Sequence, residues 1–433
     1  MNDIKTVTVI GANGAMGSNV SAMFASFGNA KVYMVSRSIE DSHAAAEKAA
    51  LSVKAGTVRN NLIPVDYSSL DYCLSVSDFV FESVSENEEI KKQVYYLMHN
   101  LKENVIISSG TSGLSINKLK KYLPENVHEC FFGVHMFNPP YSMPLCELIP
   151  SDGASLELTE QLSEYLSEVL RRKVVTVKDT PAFLGNRIGF HFINSALLLA
   201  EKYKDNGGID YIDAIFGGFT GRNMPPIVTA DFVGLDVYKA IVDNLYENTA
   251  DYQHEYFKTP DFAEKLISNS WLGRKSGKGF YSTVKDGETK KRLVYDIALG
   301  DFREIRKYNI PFVGIVVENL RNGNYKAAFD TLQSDKSQEA QICKELLISY
   351  VIYSLFSARE SGCNASNADT VMAEGFNWVP PMALVKAFGG KEKLLDMIRK
   401  EFSSSFENID YETLILSAEF SDYDYRRYLK AKR

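Results

Sequence analysis

The stretch that most limits what this chain can fold into is its start, where TVTVIG runs into GANGAMG and then SNVSAMFASFG. An apolar strand, a glycine turn and a helix in that order form the opening unit of a doubly wound α/β sheet that binds a dinucleotide. Gly11 permits the tight turn, Gly14 lets backbone N–H groups approach a pyrophosphate, and Gly17 allows the helix to pack closely on the strand. The helix N-terminus adds partial positive charge at the same place. The spacing is G-x-x-G-x-x-G rather than G-x-G-x-x-G.

Further strands follow at KVYMV, DFVFESV and VIISSG, separated by helical stretches over residues 40–55 and 85–101. The second strand ends in Ser36-Arg37, where an NAD-selective site usually carries an acid for the ribose 2′-hydroxyl. A serine and an arginine can accept a 2′-phosphate, so the cofactor expected is NAD(H) or NADP(H), with NADP(H) favoured. The alternative is a solvated loop arginine. The third of these strands runs into Thr111-Ser112-Gly113, and hydroxyls at a strand's C-terminal end face the ligand crevice in such sheets. Ser112 could instead cap the next helix, a role that Ser115 fits better.

Residues 131–149, FFGVHMFNPPYSMPLCELI, read as two short strands joined by a stiff turn with Asn138, Pro139, Pro140 and Pro144. The return path can bring Glu147 beside His135. A carboxylate there fixes the imidazole tautomer and makes a general base. A core histidine and an unrelated glutamate are the alternative.

After KVVTVKDTPAF the strand pattern gives way to helical periodicity from Phe183 to Lys204, with Asn186 in the first turn. Asn186 could equally cap that helix or bond across a domain junction. An internal repeat then appears: YIDAIFGGFTGRNMPPIVTADFVG echoes ADTVMAEGFNWVPPMALVKAFGG, with Pro225-Pro226 and Pro380-Pro381 lying 155 positions apart. Two copies of one amphipathic module can cover each other's apolar faces, which predicts a pseudo-two-fold arrangement within the chain.

The fold class expected is therefore an α/β Rossmann-type N-terminal domain followed by an all-α C-terminal region with two related helical modules. The spans are 1–178 for the dinucleotide domain, 179–285 for the first module, 286–340 for a linker region, 341–400 for the second module and 401–433 for an extension. With 433 residues, several domains are expected. A net charge of −7 disfavours a general nucleic-acid binder. Cys73, Cys130, Cys146, Cys343 and Cys363 lack metal spacing, so reduced thiols and no metal are expected. A strand beginning at Thr6 leaves no room for a leader, and the most apolar helix is interrupted by His191 and Asn194, so a cytoplasmic chain without a membrane span is expected.

Taken together these residues resemble the L-3-hydroxyacyl-CoA dehydrogenases of fatty-acid β-oxidation, in the form with duplicated C-terminal modules found in multifunctional oxidation proteins. The resemblance covers roughly residues 5–395, through GTSGL, HMFNPPYSMPLCE, FLGNRI, DFVGLD and GRKSGKGFY. It implies His135 as general base, Glu147 as its orienting partner, and Ser112 and Asn186 as holders of the substrate's oxygen or thioester. It implies cofactor contacts at Glu86, Lys91, Asn138 and Lys275, beside Gly11, Gly14, Met16, Gly17, Ser36 and Arg37. The reaction implied is reversible hydride transfer between the 3-hydroxyl of a 3-hydroxyacyl-CoA and NAD(P), by a monomer with internal pseudo-two-fold symmetry or a homodimer. No enoyl-CoA hydratase domain is expected. The region 37–78 is shorter than the family's helical hairpin, which leaves open a dehydrogenase of a free hydroxy acid or sugar acid. An idle scaffold that keeps only the fold is a third reading.

Overall fold

A computed structural model describes residues 4–53, 56–286 and 289–431; the parts of expected spans at 1–3, 54–55, 287–288 and 432–433 lie outside the described residues. The chain divides into two compact units, Met1–Phe183 and Leu184–Arg433.

The first unit alternates strands and helices: β1 (Thr6–Ile10), α1 (Ala15–Ser26), β2 (Lys31–Ser36), α2 (Ile39–Ser52), β3 (Leu62–Asp66), α3 (Leu70–Val76), β4 (Phe79–Glu82), α4 (Glu88–Tyr95), β5 (Ile106–Ser109), α5 (Ile116–Lys120), β6 (Phe131–Met136), β7 (Leu145–Pro150), α6 (Leu156–Glu164) and β8 (Lys173–Thr176). The eight strands form one sheet in the order β3-β2-β1-β4-β5-β6-β7-β8. All neighbours pair in parallel except β6 and β7. Near-continuous apolar runs such as TVTVI suit strands covered on both faces, and Val7, Val9, Val32, Met34, Phe79 and Phe81 are buried there.

One strand within the 37–78 region is absent from the sequence reading. β3 carries Pro64, which argues against a central strand. It lies at the sheet edge, where Pro64 stands opposite Met34 and a missing N–H costs little. The fourth helix is also shorter than the 85–101 expected, because Asn87 caps it through Ile90 N–H and regular structure ends at Tyr95.

The second unit is largely helical: α7 (Gly185–Lys202), α8 (Ile209–Ile215), α9 (Pro226–Val233), α10 (Leu235–Asn248), α11 (Asp261–Ser268), α12 (Pro311–Arg321), α13 (Tyr325–Ser334), α14 (Gln338–Glu360), α15 (Ala365–Phe376), α16 (Pro381–Ala387), α17 (Lys391–Met397) and α18 (Tyr411–Ser417). The span expected as a linker departs from that reading. β9 (Tyr281–Asp286), β10 (Thr289–Asp296) and β11 (Asp301–Glu304) form an antiparallel sheet, and α12 and α13 follow. Val294, Tyr295 and Asp296 are buried at the end of β10, and Arg303 clamps the ribbon to Asp210 at 2.8 Å and to Asp296 at 2.6 Å.

The repeat folds as two copies of one device. Asp213 accepts N–H groups of Ile227 and Val228 at the start of α9, and Asp369 accepts that of Met382 at the start of α16. In each copy a paired proline opens the helix, and the aspartate from the preceding helix satisfies its orphan donors. The long helix α7 packs on α8 and α9 and also on α15; α14 packs on α15 and α16 and also on α8. Each copy thus covers the other. Arg222 of the first copy is fully buried between Phe192, Tyr350 and Trp378, and Gly221 C=O accepts Val379 N–H at 2.7 Å.

The tail, for which the sequence offered no account, straps both copies. Lys430 N–H donates to Gly218 C=O at 2.9 Å, Lys386 donates to Ser421 C=O at 2.6 Å, and Ser421 donates to Asp369. Among the described residues no helix is long and apolar enough to cross a membrane.

Candidate active site

The first unit gathers its chemistry at the C-terminal ends of its parallel strands. After β1 the chain turns at Gly11, whose φ of +83° favours glycine; a Cβ there would lie 2.5 Å from Ser83 O, just past β4. A Cβ at Gly17 would lie 2.4 Å from Gly11 O, so helix and strand could not close. At Gly14, the N-cap of α1, an added Cβ would meet nothing nearer than 3.4 Å. Packing does not demand that glycine, and the space before the helix N-terminus is what an anionic pyrophosphate needs. Met16 is half-buried against the sheet core.

At the end of β2, Ser36 is buried and its Oγ has no partner among the described residues, while Arg37 is exposed. Across the ladder from Ser36 lies Asp66 at the end of β3, an acid the sequence reading missed along with its strand. Hydrogen bonds from the Ser68 hydroxyl and N–H hold its carboxyl below the usual range. A buried hydroxyl without a partner, a glycine turn and a free helix N-terminus fit a dinucleotide.

β6 and β7 bring the expected base and its partner together. His135 stands directly opposite Glu147 in the antiparallel register, and its Nδ1 is 2.7 Å from Glu147 Oε2. Both side chains are buried, and Phe137 and Phe183 flank the imidazole at 4.6 and 5.7 Å. With Nδ1–H donated to the carboxylate, Nε2 is left as the proton acceptor. The connecting turn is held from below, since Arg172 donates to Pro140 C=O at 2.5 Å and Lys173 N–H to Pro144 C=O at 2.8 Å. Asn138 in that turn accepts from Asn19 of α1 at 3.3 Å, which ties it to the helix of the glycine turn.

The strongest polar cluster centres on Glu82, which the sequence reading passed over as part of a buried strand. Its carboxylate accepts from Val84 N–H at 2.7 Å, Tyr95 OH at 2.8 Å, Ser109 Oγ at 2.7 Å and Lys91 Nζ at 2.8 and 3.0 Å. Lys91 is only 1% exposed, so its ammonium is committed to Glu82, with Glu86 at 3.6 Å. Burial and the neighbouring Glu82 charge push the Tyr95 hydroxyl well above its ordinary pKa. Glu86 in turn accepts Thr111 Oγ1 at 2.6 Å and Ser112 N–H at 2.7 Å. The cluster therefore fixes the loop that carries Ser112. A charged residue closing the apolar run DFVFE was the available signal.

Asn186 and Lys275 belong to the second unit. Asn186 lies buried in the first turn of α7. Its neighbour Arg187 is locked to Asp251 at 2.7 Å and to the Tyr353 hydroxyl at 3.1 Å. Lys275 is ion-paired with Asp236; burial opposes ionisation of that carboxyl, but the ammonium holds it below the usual range. Among the described residues no group of three His, Cys, Asp or Glu could hold a metal ion.

Residues 6–180 match the family model for the 3-hydroxyacyl-CoA dehydrogenase NAD binding domain, and residues 183–283 match that for the C-terminal domain. A hydroxyacyl-coenzyme A dehydrogenase, mitochondrial, from Sus scrofa is 31% identical over 64% of this chain and 91% of its own length. A Rickettsia prowazekii protein named as a fatty acid oxidation complex trifunctional enzyme is 28% identical over 100% of this chain, which spans 58% of that relative's length. The crystal structure of a (S)-3-hydroxybutyryl-CoA dehydrogenase from Ralstonia eutropha aligns at a TM-score of 0.56 and 29% identity, over 64% of this chain and 98% of that one. A 3-hydroxybutyryl-CoA dehydrogenase from Escherichia coli shares the fold over 94% of this chain and 96% of its own, at a TM-score of 0.69 and 20% identity. With both domain types matched in the expected order and a relative covered almost end to end at 31% identity, the chain belongs to the 3-hydroxyacyl-CoA dehydrogenase family.

Proposed function

We propose that this chain oxidises the 3-hydroxyl of a 3-hydroxyacyl-CoA and runs the reverse reduction. The observation that carries this reading is the buried His135–Glu147 pair at 2.7 Å, on the same sheet as the glycine turn. His135 Nε2 takes the hydroxyl proton as the C3 hydride leaves, and Glu147 stabilises the imidazolium that forms. A bound nicotinamide dinucleotide supplies the hydride acceptor. Ser112, whose backbone Glu86 holds, is assigned to the substrate's oxygen, and Asn186 shares that assignment by resemblance. In the reverse direction His135 returns the proton to the alkoxide oxygen at C3.

The family model matched by the first unit is an NAD-binding one, which supports NAD(H). The finer preference for NADP(H) rests on Ser36 and Arg37 at the end of β2, and Asp66 across the ladder works against it. Two copies that cover each other within one chain favour a monomer. The deciding experiment follows absorbance at 340 nm with L-3-hydroxybutyryl-CoA and longer homologues, offering NAD+ and NADP+ separately. Turnover of a free hydroxy acid with no response to any CoA ester would replace the proposal by the alternative substrate class.

A further inference from the structure

Three cations of the second unit converge on one cleft whose described lining holds a single acid, Asp231. Arg274 comes from the glycine- and lysine-rich loop before β9, and Lys290 and Arg292 come from β10. Among the described residues none of the three forms an ion pair, whereas nearby Lys275, Lys291 and Arg303 each hold a carboxylate. The cleft they line has a volume of about 590 Å³.

Its walls are fixed rather than loose. Tyr281 donates its hydroxyl to Asp213 at 2.7 Å, and the N–H groups of Phe280 and Tyr281 go to Asp231 at 2.8 and 2.7 Å. Asp213 also holds the first turn of α9, so α9 and β9 are tied through buried carboxylates. The Arg292 guanidinium lies 4.3 Å over the held Tyr281 ring, and that of Arg274 lies 5.6 Å from the Phe232 ring. Stacking on a ring orients the guanidinium plane and leaves its N–H edge free for an oxyanion.

Asp231 is the acid on this wall. Both of its oxygens accept backbone N–H groups, and burial raises its carboxyl to about 6 against those hydrogen bonds and the Arg292 charge. The balance facing the cleft is therefore positive, in a chain of net charge −7. Phe232, 51% exposed, adds an aromatic face beside the cations. The second copy lacks these features: Lys386 and Ala387 stand at the repeat positions of Asp231 and Phe232. The cleft belongs to the first copy alone and is not a by-product of the repeat.

We propose that this cleft binds the phosphates of a nucleotide, drawn either from the phosphorylated-ribose end of a coenzyme A thioester or from a free nucleoside diphosphate. Only the coenzyme A source rests on the dehydrogenase reading. Cations held on aromatic walls suit a multiply charged phosphate, and Phe232 suits the attached base.

The test is isothermal titration of the full chain, saturated with NADH and at low salt, with adenosine 3′,5′-bisphosphate, ADP and inorganic phosphate. Nucleotide binding is expected, weakened about tenfold in Arg274→Gln and again in Arg292→Gln, with Tm unchanged because both side chains are exposed. Tighter binding of the bisphosphate assigns the coenzyme A source, and tighter binding of ADP assigns the free nucleotide. No nucleotide binding, inorganic phosphate bound as well as either nucleotide, or affinities equal in parent and variants would each overturn the proposal. The readout is heat of binding rather than turnover, so failure of the dehydrogenase reading would appear separately, as missing NADH formation in the parent.

Discussion

His135 and Glu147 face each other across the β6–β7 ladder, each buried, with Nδ1 2.7 Å from Oε2. Positioned proton transfer contributes about 10²–10⁴-fold, so His135→Gln is expected to cut kcat by that range while NADH binding stays within twofold. Glu147→Gln keeps the shape but allows the wrong imidazole tautomer, and a smaller loss of kcat is expected. Stopped-flow hydride transfer with both variants checks this; undiminished turnover in His135→Gln would remove the proposed base.

Glu82 and Lys91 form an ion pair sealed from water. Removing one partner strands a buried charge, so Glu82→Gln and Lys91→Met are each expected to cost about 3–5 kcal/mol in urea unfolding. The double variant Glu82→Gln/Lys91→Met should lose less than the sum of the two. Additive losses would show that the pair is not coupled.

Asp213 lies buried under α9, and burial raises its carboxyl to about 7, opposed by the Ile227 and Val228 N–H groups and the Tyr281 hydroxyl. Its folded pKa exceeds the ordinary carboxylate value. Between pH 4 and 7 the folded state therefore binds more protons than the unfolded one, and stability falls as pH rises through that window. The loss attached to this group is on the order of 2–4 kcal/mol. Urea midpoints measured at pH 4.5 and 7.5 should differ less in Asp213→Asn than in the parent.

Arg222 is fully buried with Nε and one terminal nitrogen unpartnered among the described residues, 3.7 Å from the Phe192 ring. Burial lowers its pKa to about 10. Desolvation of the charge outweighs its ring contacts, so Arg222→Met is expected to hold Tm level or raise it, in line with the neutral-to-stabilising outcome of replacing buried charges by apolar groups of similar size. A drop of more than about 5 °C in differential scanning calorimetry would mean that the cation–π contacts dominate.

Arg37 is exposed at the end of β2, beside the buried Ser36 hydroxyl. Arg37→Ala is expected to lower kcat/KM for NADP+ about tenfold and leave that for NAD+ unchanged. Equal values for the two cofactors in the parent, unmoved by the change, would discard the preference.

Local chemistry made much of this protein legible in its sequence. Strand, glycine turn and helix are short-range, so β1, Gly11, Gly17 and α1 follow from residue types alone, and the repeated aspartate and paired prolines mark both copies of the helical device. Tertiary structure decided what depends on neighbours distant in the chain. β3 is a strand because a proline is tolerated at an edge, and β9, β10 and β11 form a ribbon that Arg303 ties to Asp210 and Asp296. Glu82 looked like one more residue of an apolar run until Lys91, Tyr95 and Ser109 converged on it. A buried charge draws its meaning from its partners, and the chain reveals those only once it has folded.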